Sequence, residues 1–280
     1  MSPGSRPTKD RGWRLFARTV VARSYPRVIG QQREPLWLFF ETILPLLGTS
    51  AYVFVYRALQ APDDFVGFVI LGGAMSAFWL NVLWAMANQL YGEKQTGNLP
   101  LYIMAPNSMM AVLLGMALGG ILATSIRAAA IVVIGAWLFD VRFAITDPAA
   151  LAIVFVLALT AVYGMGMMFA SVFLLYGREA WHLVHLAQEP VYLASGLYFP
   201  INNFPRSVAV AVSLIPLSLA LDAMRQLTLP GGAVVGLFPV RTEIVVLLAL
   251  TIVFLSAAYF LLGYVERLAR AEGRLTDAHV

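Results

Sequence analysis

The stretch Ser207–Leu221, SVAVAVSLIPLSLAL, decides how many times this chain crosses a membrane. It is apolar, but it is only about 15 residues long, where a helix needs about 20 to traverse some 30 Å of hydrocarbon. Pro216 interrupts it, removing one backbone donor and clashing with the preceding turn. The segment therefore reads as a re-entrant or interfacial hairpin, spanning 205–229, between two true spans. Non-helical backbone at that depth is tolerated where it packs on protein or lines a cavity. Charge supports the same reading. With six spans, thirteen basic residues from Arg6 to Arg274 share one side, against Arg57, Arg142, Arg206, Arg225 and Arg241 on the other. The excess places both termini in the cytoplasm, whereas a seventh span would move three tail arginines outside.

The rest of the chain fits around that hairpin. Hydrophobic residues make up 60% of 280 positions, charged residues only 12%, and the mean hydropathy is +0.78. A soluble domain carries about 25% charged residues, so this composition excludes one. The six spans expected are 36–59, 65–90, 111–139, 149–176, 182–199 and 243–265, giving an all-α membrane protein. Trp37 and Tyr56 bracket the first span about 28 Å apart, as an aromatic belt requires. The apolar run Met109–Phe139 exceeds one span, so its cytoplasmic end is expected to extend beyond the lipid. The fifth span is short and carries Glu189-Pro190.

The first 35 residues form a basic cytoplasmic tail, and 266–280 a second one. Within the first, Arg11–Ser24 reads as an interfacial helix: Trp13, Phe16 and Val20 share one face, and Arg11, Arg14 and Arg18 the opposite one. Pro26 is expected to end it, and Pro35 to mark the turn into the first span. A cleavable signal peptide is not expected, because the first apolar run follows this long basic segment. No cysteine is present, which excludes disulfides and thiolate chemistry.

Few residues suggest chemistry. The segment Gly92–Gly97 has the glycine spacing of a phosphate-binding loop, but Asn98 and Leu99 stand where Lys and Ser/Thr are needed. Hydrolysis of ATP, if it drives this protein, must then occur on another polypeptide. His182 and His185 share a helical face, but His279 is the only other histidine, too few ligands for a metal site. No Ser/His/Asp group or carboxylate pair is evident, so a membrane enzyme ranks last among function classes. A nucleic-acid partner is not expected. Glu41, Arg127 and Glu189 lie within spans, where charge is costly; they either line a path or gate, or pair with one another structurally. Gly115-x-x-x-Gly119 and Gly166-x-x-x-Ala170 allow close helix approach, within one subunit or between two.

Two stretches then carry a family resemblance. Tyr91–Pro106, YGEKQTGNLPLYIMAP, followed by Leu114-Gly115, is similar to the cytoplasmic segment between the second and third spans of type-2 ABC exporter permeases. Glu93, Gly97 and Pro106 match that pattern, but Pro100 replaces the glutamate that usually ends its "G-T-L-E" run. Ser195–Ile201, Phe204-Pro205, Ile215–Leu217 and Asp222–Arg225 resemble the family's "S-G-x-x-F-P-I … L-P … P-L … D-A-x-R" run, which forms outer re-entrant helices. Pro200, Pro205, Pro216, Asp222 and Arg225 belong to that outer region; Asp222 and Arg225, three apart on a helix, are expected to pair.

The resemblance covers nearly the whole chain. It implies a non-catalytic permease in a bacterial or archaeal cell membrane, working with a second permease subunit, identical or different. Two cytoplasmic ATPase subunits would carry ATP and Mg, this chain binding no cofactor of its own. The segment 91–108, with Glu93, Gly97, Leu101 and Pro106, would contact the ATPase. The expected cargo is a drug-like or lipid-like amphipath, with membrane lipid as a neighbour. A lipid-linked polysaccharide is the alternative; it would need a wide aromatic path, and Phe78, Trp79, Trp84 and Tyr91 cluster along the second span, where packing and interface anchoring explain them equally well. An ATP-independent channel or secondary transporter is the alternative of another class; no inverted repeat supports it.

Overall fold

The computed structural model describes residues 9–33, 35–62, 64–104, 108–177, 180–230 and 236–272. Among them there are helices and no strand. In chain order they are α1 (Lys9–Gln32), α2 (Pro35–Ala58), α3 (Asp64–Leu80), a π-helical segment (Asn81–Met86), α4 (Gln89–Gln95) and α5 (Leu99–Met104). The long helices α6 (Met109–Phe139) and α7 (Pro148–Tyr176) follow, then α8 (Ala180–Ala194), α9 (Arg206–Val212), α10 (Pro216–Thr228) and α11 (Val240–Glu272). Residues 1–8, Pro106, Arg178 and the last eight residues lie outside the described residues, as do the side chains of Arg11, Trp37 and His185.

Five stretches are long and apolar enough to cross a membrane: Phe39–Ala58, Asp64–Gln95, Met109–Phe139, Pro148–Tyr176 and Val240–Leu268. The chain is a multi-pass membrane protein. Local chemistry sets the ends of these helices. Asp147 caps α7 by accepting from the backbone N–H groups of Ala149 and Ala150, both at 3.0 Å, with Pro148 at the first helical position. Ser108 caps α6 in the same way through Met110 N.

The helix α3 and its continuation form the centre: 94% of the Asp64–Gln95 window is buried within the protein. Glycines admit its neighbours. A Cβ on Gly73 would stand 2.0 Å from Thr49 Oγ1 of α2, and one on Gly72 would stand 1.7 Å from the Leu197 carbonyl oxygen. Gly166 of α7 seats Val82 and Met86 of the π-helical segment, so this small-residue motif packs within the chain.

The other motif, Gly115-x-x-x-Gly119, packs α6 against α1. Val20 and Arg23 lie over Gly115, and Ser24 and Arg27 over Gly119. The rising numbers on both helices show that they run in the same direction. The expectation that Pro26 ends α1 fails here, since the helix continues to Gln32. Loss of one helical hydrogen bond at Pro26 costs about 3 kcal/mol. The long α6 contact on either side of Pro26 is what offsets it. The face turned to α6 is therefore 20, 23, 24 and 27, while Trp13 is exposed and stacks on Phe16.

Two further pairings fix directions. Thr251 Oγ1 of α11 donates to the Leu157 carbonyl of α7, and Gly164 meets Phe254 and Leu255, so α7 and α11 are parallel. Trp84 Nε1 donates to Gln188 Oε1 at 3.0 Å, whereas Leu197 reaches Gly72, so α8 and its extension run antiparallel to α3. The expected fifth span, 182–199, is helical only to Ala194. Beyond that point the chain is irregular, and side chains satisfy its carbonyls. Arg225 donates to Gly196 and Leu197, and the Tyr56 hydroxyl to Tyr198 at 2.7 Å.

Helices α9 and α10 meet at a 104° bend. Pro216 occupies the first turn of α10, where its missing N–H costs nothing. The far end of α10 returns to the α6–α7 connection: Ala144 N donates to the Thr228 carbonyl and Thr146 N to the Leu227 carbonyl, both at 2.9 Å.

Candidate functional site

A cavity of about 610 Å³ opens between α2, α3, the π-helical segment, α6 and the end of α8. Its wall is mainly apolar and aromatic, with Phe40, Leu44, Trp84, Tyr192 and Tyr198. Ser76 and Asn81 add polar groups. Glu41 and Arg127 also line it, and they form an ion pair. Arg127 is held further by donating to Thr124 Oγ1 at 2.8 Å and is only 5% exposed, which fixes the charge pair at the cavity edge. Removing water around such a pair strengthens it, provided both partners remain. Behind the wall, Asn81 Oδ1 accepts from the Tyr163 hydroxyl at 2.9 Å, so the amide is oriented by the core.

A smaller cavity of about 300 Å³ adjoins this one. Tyr192 and Tyr198 belong to both walls, and Tyr52, Gln188, Glu189 and Phe199 complete the second. The tyrosines form a stack: Tyr52 and Tyr198 have ring centroids 3.9 Å apart and nearly parallel planes, and Tyr192 and Tyr198 are 6.2 Å apart.

A groove of about 440 Å³ also borders the π-helical segment, lined by Asn88, Gln89, Glu93, Thr96 and Asn98. Trp84 and Ala85 line both this groove and the main cavity. Next to it, Arg27 of α1 donates to Gln89 Oε1. Burial lowers the Arg27 pKa from its usual value, and Tyr163 offsets part of that shift. Glu93 turns inward: its carboxylate accepts from Asn98 Nδ2 at 3.0 Å, and its carbonyl accepts from Asn98 N at 2.9 Å. This closes the end of α4, where Gly97 takes a φ of 74°, a conformation open to glycine. The short α5 buries Leu99 and presents Leu101 and Met104, at 60% and 74% exposure. Arg23 of α1 stacks over the Tyr102 ring at 4.0 Å, tying α5 to the amino-terminal helix.

The expected site residues thus fall into four places. Glu41 and Arg127 meet; Glu189 sits in the adjoining cavity; Glu93, Gly97 and Leu101 lie in the hook formed by α4, α5 and the turn between them. Pro200, Pro216, Asp222 and Arg225 are buried at the far end, with Pro205 exposed ahead of α9. The expected Asp222–Arg225 pairing gives way to separate networks. Arg225 donates to the carbonyls of Phe68, Gly196 and Leu197. Asp222 accepts from Leu237 N at 2.7 Å and from Gln226. The Phe68, Gly196 and Leu197 carbonyls converge on Arg225, and together they accept from more of the planar guanidinium's donors than one carboxylate would.

Of the four expected aromatic residues, Trp84 lines the cavity, while Phe78 and Trp79 are buried in the core. Sequence reading missed Tyr52, Tyr192 and Tyr198. No spacing signals them, because they come from α2, α8 and the irregular segment after it. His182 is exposed, and no group of three metal-binding side chains occurs among the described residues.

A family model described as ABC-2 type transporter matches residues 17–229. No individually curated protein matches the chain. The matched range takes in α1, the hook, the cavity walls and the α9–α10 pair, and with them most of the molecule. The chain therefore belongs to the ABC-2 type transporter family, as a membrane component of an ABC transporter.

Proposed function

We propose that this chain is the permease of an ATP-driven exporter that moves a drug-like or lipid-like amphipath from the cytoplasm or inner leaflet to the outer face. A cytoplasmic ATPase present in two copies would supply the energy, and a second permease subunit would complete the pathway. The observation that carries this reading is the shared wall at Trp84 and Ala85. The same two residues line both the groove beside α4 and the apolar cavity. They lie in a π-helical segment, a local irregularity frequent at functional sites. Force applied to α4 and α5 from the cytoplasm would reach the cavity by repacking that segment.

In this reading Leu101 and Met104 form the apolar face that docks on the ATPase. Glu93 acts indirectly, holding the hook's shape through Asn98. The termini are cytoplasmic. Since α7 and α11 are parallel, the chain between them makes an odd number of crossings. Helix α8 with residues 195–199 supplies one, and the bent α9–α10 pair enters and returns on the outer side. The return of α10 to the α6–α7 connection supports that placement. Arg225 would anchor the base of this hairpin.

The test is reconstitution in proteoliposomes with an ABC ATPase that co-purifies with this chain. Nucleotide-dependent outward movement of an amphipathic dye is expected. Transport that proceeds unchanged without nucleotide would instead favour an ATP-independent carrier.

A further inference from the structure

We infer that the paired cavities bind a lipophilic cation, with Glu189 as its counter-charge and the Tyr52–Tyr198–Tyr192 stack as its aromatic wall. The inference rests on the export reading above and narrows its cargo to one charge class. It starts from charge accounting. In the larger cavity the negative charge of Glu41 is matched by Arg127. In the adjoining one Glu189 is exposed, and the other lining residues, Tyr52, Gln188, Tyr192, Leu193, Tyr198 and Phe199, carry no positive charge. The two adjoining cavities together therefore hold one carboxylate, that of Glu189, with no counter-charge among their described lining residues.

A free carboxylate in a span costs several kcal/mol at the centre of a bilayer unless it faces water or a counter-charge. A neutral or anionic cargo would leave it uncompensated or repelled. A cation would neutralise it. The walls favour the same ligand. Aromatic faces attract cations through the ring quadrupole; Tyr52 and Tyr192, the end rings of the stack, line the cavity with the carboxylate, and Tyr198 between them holds both in place. Phe40, Leu44 and Trp84 then offer apolar surface for the remainder of the molecule. The volumes, about 610 and 300 Å³, fall within the range of drug-sized sites. The chemistry fits a bulky hydrophobic amine or quaternary onium ion.

The test measures binding of tetraphenylphosphonium to the full chain in zwitterionic nanodiscs, without nucleotide or ATPase, corrected for empty discs. Tetraphenylborate serves as the anion of matching shape, and triphenylphosphine oxide as the neutral control. We expect the phosphonium to bind at least about tenfold more tightly than the borate, the preference of a site that carries one opposite charge. Glu189→Gln should remove most of that preference and leave the neutral control unchanged, while Glu189→Asp should restore it. Tyr198→Leu should weaken the phosphonium severalfold. Equal binding of cation and anion, or full phosphonium affinity in Glu189→Gln, would overturn the inference. Because no ATPase is present, such a result would leave the export reading standing. Failure of nucleotide-driven transport with phosphonium binding intact would remove that reading instead.

Discussion

Helices α3 and α11 are both apolar enough to span a membrane, yet they occupy opposite kinds of environment. The α3 window is 94% buried within the chain; the windows of α2 and α11 are each 17% buried. Small residues explain the contrast. On α3, Gly72 and Gly73 bring the Leu197 carbonyl and Thr49 into contact with backbone. On α11, Gly263 has nothing within 4 Å, and large side chains such as Tyr259 and Phe260 point outward. Lipid tails are as apolar as leucine, so hydrophobicity cannot say which helix is central. Close packing decides it.

That contrast breaks most readily at Arg225, beside α3. Arg225→Ala would strand three carbonyls in a buried site, at about 1–3 kcal/mol per orphaned group. We expect loss of folded protein on size-exclusion chromatography in detergent, with Arg225→Lys recovering it only in part. Next is Gly72→Ala, whose methyl group would collide with backbone rather than with a flexible side chain. A destabilisation of about 1–3 kcal/mol should appear as a lowered melting temperature. Full stability in this variant would mean that α3 and residues 195–199 do not touch.

At the cavity edge the expected effect is smaller. Glu41→Gln leaves Arg127 unpaired, but the glutamate side chain is 29% exposed, so solvent moderates the loss to about 1–2 kcal/mol. A double-mutant cycle with Arg127→Gln should return a favourable coupling energy; additive effects would deny the pair. At the other extreme, Gly263→Ala on α11 should leave melting unchanged or raise it by the equivalent of about 0.5–1 kcal/mol, the gain in helix propensity.

The same contrast shows what could be read in advance. Composition and run length suffice for α6, α7 and α11, because a long apolar run with no interruption has one way to cross. They also locate the 205–229 segment as exceptional, since Pro216 and its length speak locally. The expected fifth span is harder to read. Helix α8 is 15 residues long, and the irregular segment beyond it depends on donors from Arg225 and Tyr56, which are remote in sequence. Glu41 and Arg127 stood out singly as charges in apolar runs, but their meeting depends on how α2 lies against α6. The tyrosine stack gave no signal, since each ring alone looks like an interfacial anchor. The persistence of α1 through Pro26 was hidden for the same reason. It rests on glycines nearly a hundred residues away.

Coupling through the hook is the central claim, and the absence of native cysteine makes it directly testable. A Leu101→Cys variant carrying a short photo-crosslinker would be illuminated in native membranes that contain its ABC ATPase partner. We predict a covalent adduct with the ATPase whose yield changes when nucleotide is added. An adduct formed only with lipid, under every nucleotide condition, would contradict the account.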